Sequence, residues 1–323
     1  MCGRRGQLTE GSNEGSSNPA DMGNVKTTAV RTQDRLVTKP SASGEPAELP
    51  VDTVVIPVNL CSLPPLNAVA NQVLALSADP DLDLRELAGT MTRDPAFAAD
   101  VLFLANSSLF GFPSRIRALS HAVAILGLER IKALAVTVAM RGFVGTGTPL
   151  VRQCWQHSVA CAIIAEEIAP LMAITSEVAY TVALLHDVGR LGLLKSYPKE
   201  SEAVLKTAFD SVDQVLEAER QVLHVDHGRA GGWLVGNWSF PESFKRVCEQ
   251  HHDPCSAGDP ELLLLIKAVC RMADSLGYAA VKYTAPVSYD EVLASLPPVF
   301  RLERFPREAD LKAGIESKVK IFG

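Results

Sequence analysis

From about Val51 onward, apolar residues recur at the spacing of one helix face in segment after segment. The segment 66–76, introduced by Pro64-Pro65, is an example, and no run of alternating residues is long enough to predict a sheet. Aromatic residues make up only 6% of a chain that is 47% hydrophobic, so the core must consist mainly of Ala, Leu and Val. These features favour an all-α fold of closely packed helices.

Capping residues set the predicted helix bounds. Polar residues that precede apolar segments predict four helix starts: Asp83 (with Glu86 at capping-box spacing), Asp94-Pro95, Ser120 and Asp259-Pro260. Gly127, Gly142 and Gly277 predict helix ends, and Asn106-Ser107-Ser108 predict a helix end and turn. Further helices are predicted at 157–172, 176–186 (stopped by Gly189), 212–223, 226–233, 241–252, 289–295 and 307–318.

Composition divides the chain. Residues 1–50 contain no aromatic residue, are rich in Gly, Ser, Asn, Thr and Glu, and carry six basic and six acidic side chains. Such a segment buries too little apolar surface to offset the entropy of ordering, so we expect a disordered tail. We expect one helical domain over 51–280, divided into halves at 51–150 and 151–280, and a helical C-terminal extension over 281–323.

Charge and cysteine content indicate which partners and which cellular compartment to expect. The net charge of −6 and a sequence pI of about 5.7 argue against a protein that coats nucleic acid or an anionic membrane. Seven cysteines without a CxxC pair fit a reducing compartment, and Cys154 and Cys161 are expected to be small buried residues. Because no apolar run approaches about 20 residues and no signal-peptide core is present, we expect a cytoplasmic protein without a membrane span.

Histidines are concentrated in one region. Six of the seven lie between His157 and His252, accompanied by Asp187 and Asp274. Histidine and carboxylate are the ligands that borderline divalent metals prefer. His186-Asp187 ends a very apolar helix and Asp274 lies in another, where a charge is costly unless it is paired or bound to metal. The pattern predicts a shared polar site, either a metal centre or a network of hydrogen bonds.

At this point the residues resemble a known superfamily. His157, His186-Asp187 and Asp274 look like the H…HD…D signature of HD-type metal-dependent phosphohydrolases. His227 and His251-His252 resemble the extra ligands of the HD-GYP branch, which hydrolyses cyclic dinucleotides with two or three metals. The chain departs from that branch because no Gly-Tyr-Pro follows His252, and Arg190 stands where Lys is usual.

A narrower resemblance, to the HDOD (HD-related output domain) family, spans about residues 57–280. The motifs that carry it are Leu63-Pro64-Pro65-Leu66, Asp94-Pro95, Ala105-Asn106-Ser107-Ser108, residues 116–127, Trp155-Gln156-His157-Ser158, residues 184–190 and Asp226-His227. The resemblance implies an HD-like helical bundle with an N-terminal helical subdomain. It also implies a bacterial signal-transduction output module, whose seven candidate metal ligands are His157, His186, Asp187, His227, His251, His252 and Asp274.

Two functions remain open. In the first, the module acts by binding signalling proteins or a small ligand, with the His/Asp site kept for structure or sensing. In the second, it is a phosphohydrolase of a nucleotide or other phosphoester, with one or two Mn, Fe, Ni or Zn ions and with Asp187 and Arg190 in catalysis. For Arg190, a charge favoured at a helix C-terminus is the simpler interpretation.

Nucleic-acid binding has weaker support. A mildly basic stretch in the first half contains Arg115, Arg117, Arg130, Lys132 and Arg141. It has no interleaved aromatic residues and no recognisable reading helix, so solvated helix faces explain it better. Nucleic acid is therefore not expected as a partner.

Overall fold

The computed structural model describes residues 27–29, 55–76, 83–108, 115–300 and 304–322. The disorder predicted for residues 1–50 lies outside the described residues, apart from 27–29. Those three residues form strand β1 (Thr27–Ala29), which pairs antiparallel with β2 (Val55–Pro57).

Five helices follow in the N-terminal half: α1 (Val58–Cys61), α2 (Ala68–Leu76), α3 (Leu84–Thr92), α4 (Pro95–Ala105) and α5 (Leu119–Val144). Helix α5 packs against α2, α3 and α4 and buries Leu87, Met91 and Leu134 between them. The side chains of Asp83 and Asp94 accept hydrogen bonds from backbone N–H groups at the starts of α3 and α4, as predicted. Asn106 ends α4, and its amide bonds to the backbone of Ile116, which confirms the predicted turn.

Helix α5 differs in part from its prediction. Gly127 has φ 74° and kinks the helix where a break is predicted, because only glycine adopts this conformation without strain. The predicted Ser120 cap is wrong: the helix starts at Leu119, after Ala118, without a side-chain capping bond. The predicted end at Gly142 is also wrong, since the helix runs to Val144 and Gly145 follows it with φ 63°.

The second half contains eight longer elements: α6 (Pro149–Ile168), α7 (Ser176–Leu185), α8 (Val188–Ser196), α9 (Pro198–Leu205), α10 (Val212–Leu223), α11 (His227–Asn237), α12 (Glu242–Gln250) and α13 (Glu261–Ala273). A 3-10 turn follows α6 at Ala169–Met172, and α13 continues into a π turn at Asp274–Tyr278. The predicted Asp259 cap is wrong: its carboxylate accepts from Lys267 Nζ at 2.7 Å and from the Ser256 N–H.

Helix α6 lies at the centre of this half. It packs against α7 and α13, and α11 packs against α8 and α12. The buried side chains are mostly small or aliphatic, such as Ala160, Ile164 and Leu184. Helices dominate the described chain, and the all-α prediction is confirmed. In the part of the chain that the structure describes, no helix combines the length and apolarity needed to cross a bilayer.

The C-terminal extension packs onto the second half. It contains α14 (Tyr289–Ala294) and α15 (Glu308–Val319), followed by a 3-10 turn at Lys320–Phe322, and α15 lies against α6. Two short strands, β3 (Ala208–Phe209) and β4 (Lys282–Tyr283), pair in parallel and attach the start of the extension to the segment before α10. The division of the chain at residues 150 and 280 stays a prediction.

Candidate metal centre

Five histidine rings lie next to one another in the second half. His157 comes from α6, His186 follows α7, His227 begins α11, and His251 and His252 follow α12. Ring centroids are 5.4 Å apart for His157 and His186, 4.9 Å for His186 and His251, and 5.5 Å for His227 and His251. The centroid of His252 lies 4.9 Å from that of His227. The fold thus brings together histidines that lie far apart in the sequence.

Backbone carbonyls orient three of these rings. Each ring places Nδ1 at hydrogen-bond distance from a carbonyl oxygen: His157 from Tyr278 (2.8 Å), His186 from Ala183 (2.5 Å) and His251 from Cys248 (2.9 Å). Because a carbonyl oxygen only accepts, Nδ1 carries the proton that it donates. In the neutral ring the lone pair is then on Nε2, which is the arrangement found in metal-binding histidines.

Two of the Nε2 atoms are buried and lack a partner. His186 is completely buried and His251 is 3% exposed, and neither Nε2 has a hydrogen-bond partner among the described residues. An unsatisfied buried polar atom costs on the order of 1–3 kcal/mol, so folded proteins rarely retain one without a function. Burial and the neighbouring His186 also lower the pKa of His251 to about 3, which keeps its ring neutral.

Two cysteine sulfurs lie close to the histidine cluster, next to His157. The sulfur of Cys270, on α13, is 3.7 Å from His157 Nε2, and that of Cys161, on α6, is 3.6 Å away. His157, His186 and Cys270 form one group whose potential ligand atoms all lie within 4.8 Å of one another. A hydrogen bond from Cys161, helped by His157, holds the pKa of Cys270 well below its ordinary value. Burial opposes a charge on His157, but its hydrogen bond with Cys270 and the nearby acidic groups together outweigh burial and raise the pKa of His157 to about 10.

A second group of potential ligands consists of His227, His251 and His252, again within 4.8 Å of one another. Here the lone pair of His227 Nε2 is already used, because Arg190 Nη2 donates to it at 3.1 Å. The opposite ring nitrogen, Nδ1, donates to Glu219 at 2.6 Å. His227 therefore cannot bind a metal while Arg190 stays in place.

Arg190 is enclosed by acidic groups. Its Nε donates to Asp187 Oδ2 at 2.9 Å and its Nη1 to Glu219 Oε1 at 2.8 Å, with all three side chains at most 5% exposed. Burial alone would raise the pKa of Asp187, but Arg190 and the histidines lower it well below its ordinary range. The other oxygen of Asp187, Oδ1, lies 3.3 Å from His227 Nε2 and has no hydrogen-bond partner in the described chain.

A cavity of about 410 Å³ opens beside the cluster. His251, His252, Cys270 and Asp274 line one side of it. Residues at the start of α10, on α13 and in the C-terminal extension also line it, among them Ser211, Arg271, Tyr283, Pro286 and Val287. Its lining combines an apolar surface with a few polar groups, as small-molecule sites commonly do.

All seven metal ligands suggested by the sequence meet in this region. Asp274 lies 3.4 Å from His157 Nδ1 and its side chain is 24% exposed, at the edge of the cavity. Whether these residues bind metal stays a prediction. The simpler interpretation of Arg190 is wrong, since it lies in the first turn of α8, where the helix dipole does not favour a cation.

Sequence reasoning missed two side chains of the site, Cys270 and Glu219. Cys270 lies on α13, and Asp274 follows four residues later at the start of the π turn, so both lie on the same face of the chain there. Glu219 lies on the buried face of α10, between Val215 and Leu223 at four-residue spacing. An acidic residue on an apolar helix face, such as Glu219, could have been recognised from the sequence as a candidate site residue. A buried cysteine such as Cys270 could not, because it resembles any small core residue.

The basic stretch of the first half is largely paired. Arg130 pairs with Glu166 and Glu177, Lys132 with Glu129 at 2.7 Å, and Arg141 with Asp100 at 3.6 Å. Acidic neighbours thus offset three of these five cations.

An all-helical bundle that directs histidines and aspartates from several helices to one centre defines a protein of the HD type. The HDOD domain family matches residues 63–254, which is more than half of the chain, and the chain belongs to that family. An uncharacterised protein of Treponema pallidum (strain Nichols) is 24% identical over 202 residues. That alignment covers 59% of this chain and 38% of the relative, so the chain spans well under half of the relative's length.

Solved structures show the same fold. A candidate phosphohydrolase from Shewanella amazonensis SB2B is 19% identical with a TM-score of 0.61, over 82% of this chain and 96% of that chain. A candidate signal transduction protein from Marinobacter aquaeolei VT8 is 21% identical with a TM-score of 0.60, over 81% of this chain and 60% of that chain. These similarities support the HD-like helical bundle and not a particular activity.

Proposed function

We propose that this HDOD protein is a signalling module that binds one divalent metal ion in its histidine cluster and a small ligand in the adjacent cavity. The observation that carries the proposal is the buried Nε2 atom of His186, which lacks a partner and lies within 4.8 Å of ligand atoms of His157 and Cys270. A metal ion would satisfy this atom, and the Nδ1 hydrogen bond already orients the ring for it. Mn, Fe, Ni and Zn all accept imidazole ligands.

Arg190 argues for one ion instead of two. A second ion would need His227 Nε2 and Asp187, and the guanidinium group already bonds to both. The paired arginine supplies a fixed positive charge at that position, and it is protonated at any physiological pH. The second group of histidines therefore stays without metal in this proposal.

A metal-dependent phosphohydrolase is the second candidate. The cavity favours it, because about 410 Å³ next to His251, His252 and Asp274 could admit a nucleotide or other small phosphoester. One metal would lower the pKa of a bound water, Asp187 would help hold the ion, and Arg190 would neutralise phosphate charge. We rank this candidate second, because Arg190 is buried and bonds to two carboxylates, so its guanidinium does not face the cavity.

The signalling role is supported by family membership and by the fold shared with a candidate signal transduction protein. In such a module, binding of the ligand or the metal affects the interaction with a protein partner in a signalling pathway. We propose a cytoplasmic protein partner and no nucleic acid, since acidic neighbours offset the charge of three of the five cations in the basic stretch.

The metal content of the purified full chain, measured per chain, tests the proposal. We expect about one equivalent in the parent and in His121→Ala, whose side chain is exposed outside the cluster, and almost none in His186→Ala. No metal in the parent after incubation with Mn, Fe, Ni and Zn salts would contradict the proposal. Turnover of bis(p-nitrophenyl) phosphate, lost in His186→Ala, would instead favour the phosphohydrolase.

A further inference from the structure

Cys270 occupies a position that the HD-type signature does not use. It lies on α13, it is 4% exposed, and it lines the cavity. Its sulfur belongs to the same compact group as the ring nitrogens of His157 and His186. The three side chains come from three different elements, so the group is a product of the tertiary fold.

The spacing within this group matches a metal site. In tetrahedral zinc sites the bond lengths are about 2.3 Å to sulfur and about 2.0 Å to nitrogen, which puts these ligand atoms about 3.5 Å apart. Cys270 Sγ is 3.7 Å from His157 Nε2. An ion could therefore enter between the two with only small shifts of the side chains.

A hydrogen bond between Cys270 and His157 explains only one part of the group. It leaves His186 Nε2 buried without a partner, although this atom is within 4.8 Å of both. One ion bound to the three atoms would account for the short distance between Cys270 and His157 and would give His186 Nε2 a partner. It would also explain why the Nδ1 atoms of both rings bond to backbone carbonyls, which leaves Nε2 for the metal.

We propose that Cys270 is a thiolate ligand of the metal ion, together with His157 and His186, and that the thiolate makes the centre selective for zinc. The inference rests on the proposed metal-binding function and adds to it the ligand set and the identity of the metal. Thiolate is a soft ligand that favours zinc over Mn and Mg, whereas carboxylate and water favour the harder ions. On binding, the site gives up the proton shared by Cys270 and His157.

The ligand set also indicates how the cavity is used. Two histidines and one cysteine leave a fourth position on a tetrahedral ion, as in zinc sites that bind an exchangeable ligand. Because Cys270 and His251 both line the cavity, that position is open to a small anionic ligand entering from it. A phosphate or carboxylate group is the chemistry expected to bind there.

Cobalt substitution of the full chain tests the ligand set. Co²⁺ bound to a thiolate gives an intense near-ultraviolet charge-transfer band, whereas Co²⁺ bound only to nitrogen and oxygen does not. We expect the band in the parent and in Cys248→Ser, a buried cysteine whose sulfur bonds to the Leu185 carbonyl. We expect no band in Cys270→Ser. Zinc should displace Mn²⁺ from the parent and should do so much less effectively from Cys270→Ser.

Other outcomes of the cobalt experiment distinguish the Cys270 ligand from the metal site itself. Co²⁺ binding without the band, or a band that persists in Cys270→Ser, would overturn the thiolate ligand and leave the metal centre standing. No binding of any ion would overturn both. If Cys270→Ser does not fold, zinc X-ray absorption of the parent decides: a sulfur neighbour at about 2.3 Å is expected, and a shell of nitrogen and oxygen alone contradicts it.

Discussion

Arg190 illustrates how a single residue sets the character of the site. Its guanidinium group bonds to Asp187, Glu219 and His227, and almost no part of it reaches solvent. A buried ionic network of this kind contributes little net stability, yet removing one partner is strongly destabilising, because the remaining charges stay buried. The arginine thus neutralises two carboxylates that would otherwise attract a second metal ion.

Replacing Arg190 with alanine should therefore change both stability and metal stoichiometry. Without metal, we expect the free energy of unfolding to fall by about 3–5 kcal/mol, as for other broken buried pairs. With excess zinc, Asp187 and His227 become available as ligands, and the bound metal should rise from one to two equivalents per chain. Denaturant unfolding and metal analysis measure the two effects.

The matched control is Arg246→Ala, in which an exposed arginine bonded to Gln250 is lost. We expect it to change stability by no more than about 0.5 kcal/mol and to leave the metal content unchanged. If Arg190→Ala is stable enough to purify and still binds one equivalent in excess zinc, the guanidinium is not what excludes a second ion.

Residue types in the sequence predicted most of the site. The apolar surroundings of His186-Asp187 and Asp274 indicated a buried polar cluster, and the structure brings these residues together with four more histidines. The contact of Cys270 with His157 and the bonds of Glu219 could not be predicted, because they join residues of different helices. Such contacts depend on how the helices pack, which helical spacing alone does not determine.

At the scale of elements, the junction of α7 and α8 positions the His-Asp pair. Helix α7 ends at Leu185 and α8 begins at Val188, so His186 and Asp187 occupy the break between them. Gly189 was predicted to stop the helix, and instead it lies in the first turn of α8, where α11 crosses closely. A Cβ atom at Gly189 would lie 1.9 Å from the His227 carbonyl oxygen.

Gly189→Ala should separate α8 from α11 and weaken the site. The added methyl group has no space against backbone atoms, so we expect a loss of about 1–3 kcal/mol in the free energy of unfolding. Gly89→Ala is the control, since Gly89 lies within α3 with open space around its Cβ position. That substitution should stabilise the protein by about 0.5–1 kcal/mol. Equal effects of both substitutions in thermal or denaturant unfolding would show that α8 and α11 do not pack this closely.

The sequence predicted which segments form helices, whereas the prediction of helix ends depended on which side chains cap them. The side-chain caps Asp83 and Asp94 and the bounds of α10 (Val212–Leu223) follow from local sequence and are confirmed. Asp259 failed as a cap, because its carboxylate bonds to the buried amine of Lys267 instead. A tertiary partner of this kind cannot be inferred from residues that are near in sequence.

At the scale of the whole molecule, the site joins parts of the chain that are distant in sequence. Helices α6, α11 and α13 and the residues that directly follow α7 and α12 supply the ring nitrogens and the thiol, and the C-terminal extension lines part of the cavity. The sequence predicted a helical extension but not this location, because short strand pairing and helix packing across more than 70 residues bring it there. A ligand in the cavity would touch both the extension and the proposed metal.

The position of the bound metal tests the central claim most directly. Anomalous diffraction at the zinc edge, from crystals of the full chain grown with zinc, would locate the ion. We predict one peak per chain, between His157 Nε2, His186 Nε2 and Cys270 Sγ. A peak between His227, His251 and His252, or no peak in the cluster, would contradict the single thiolate-bound metal proposed for this HDOD protein.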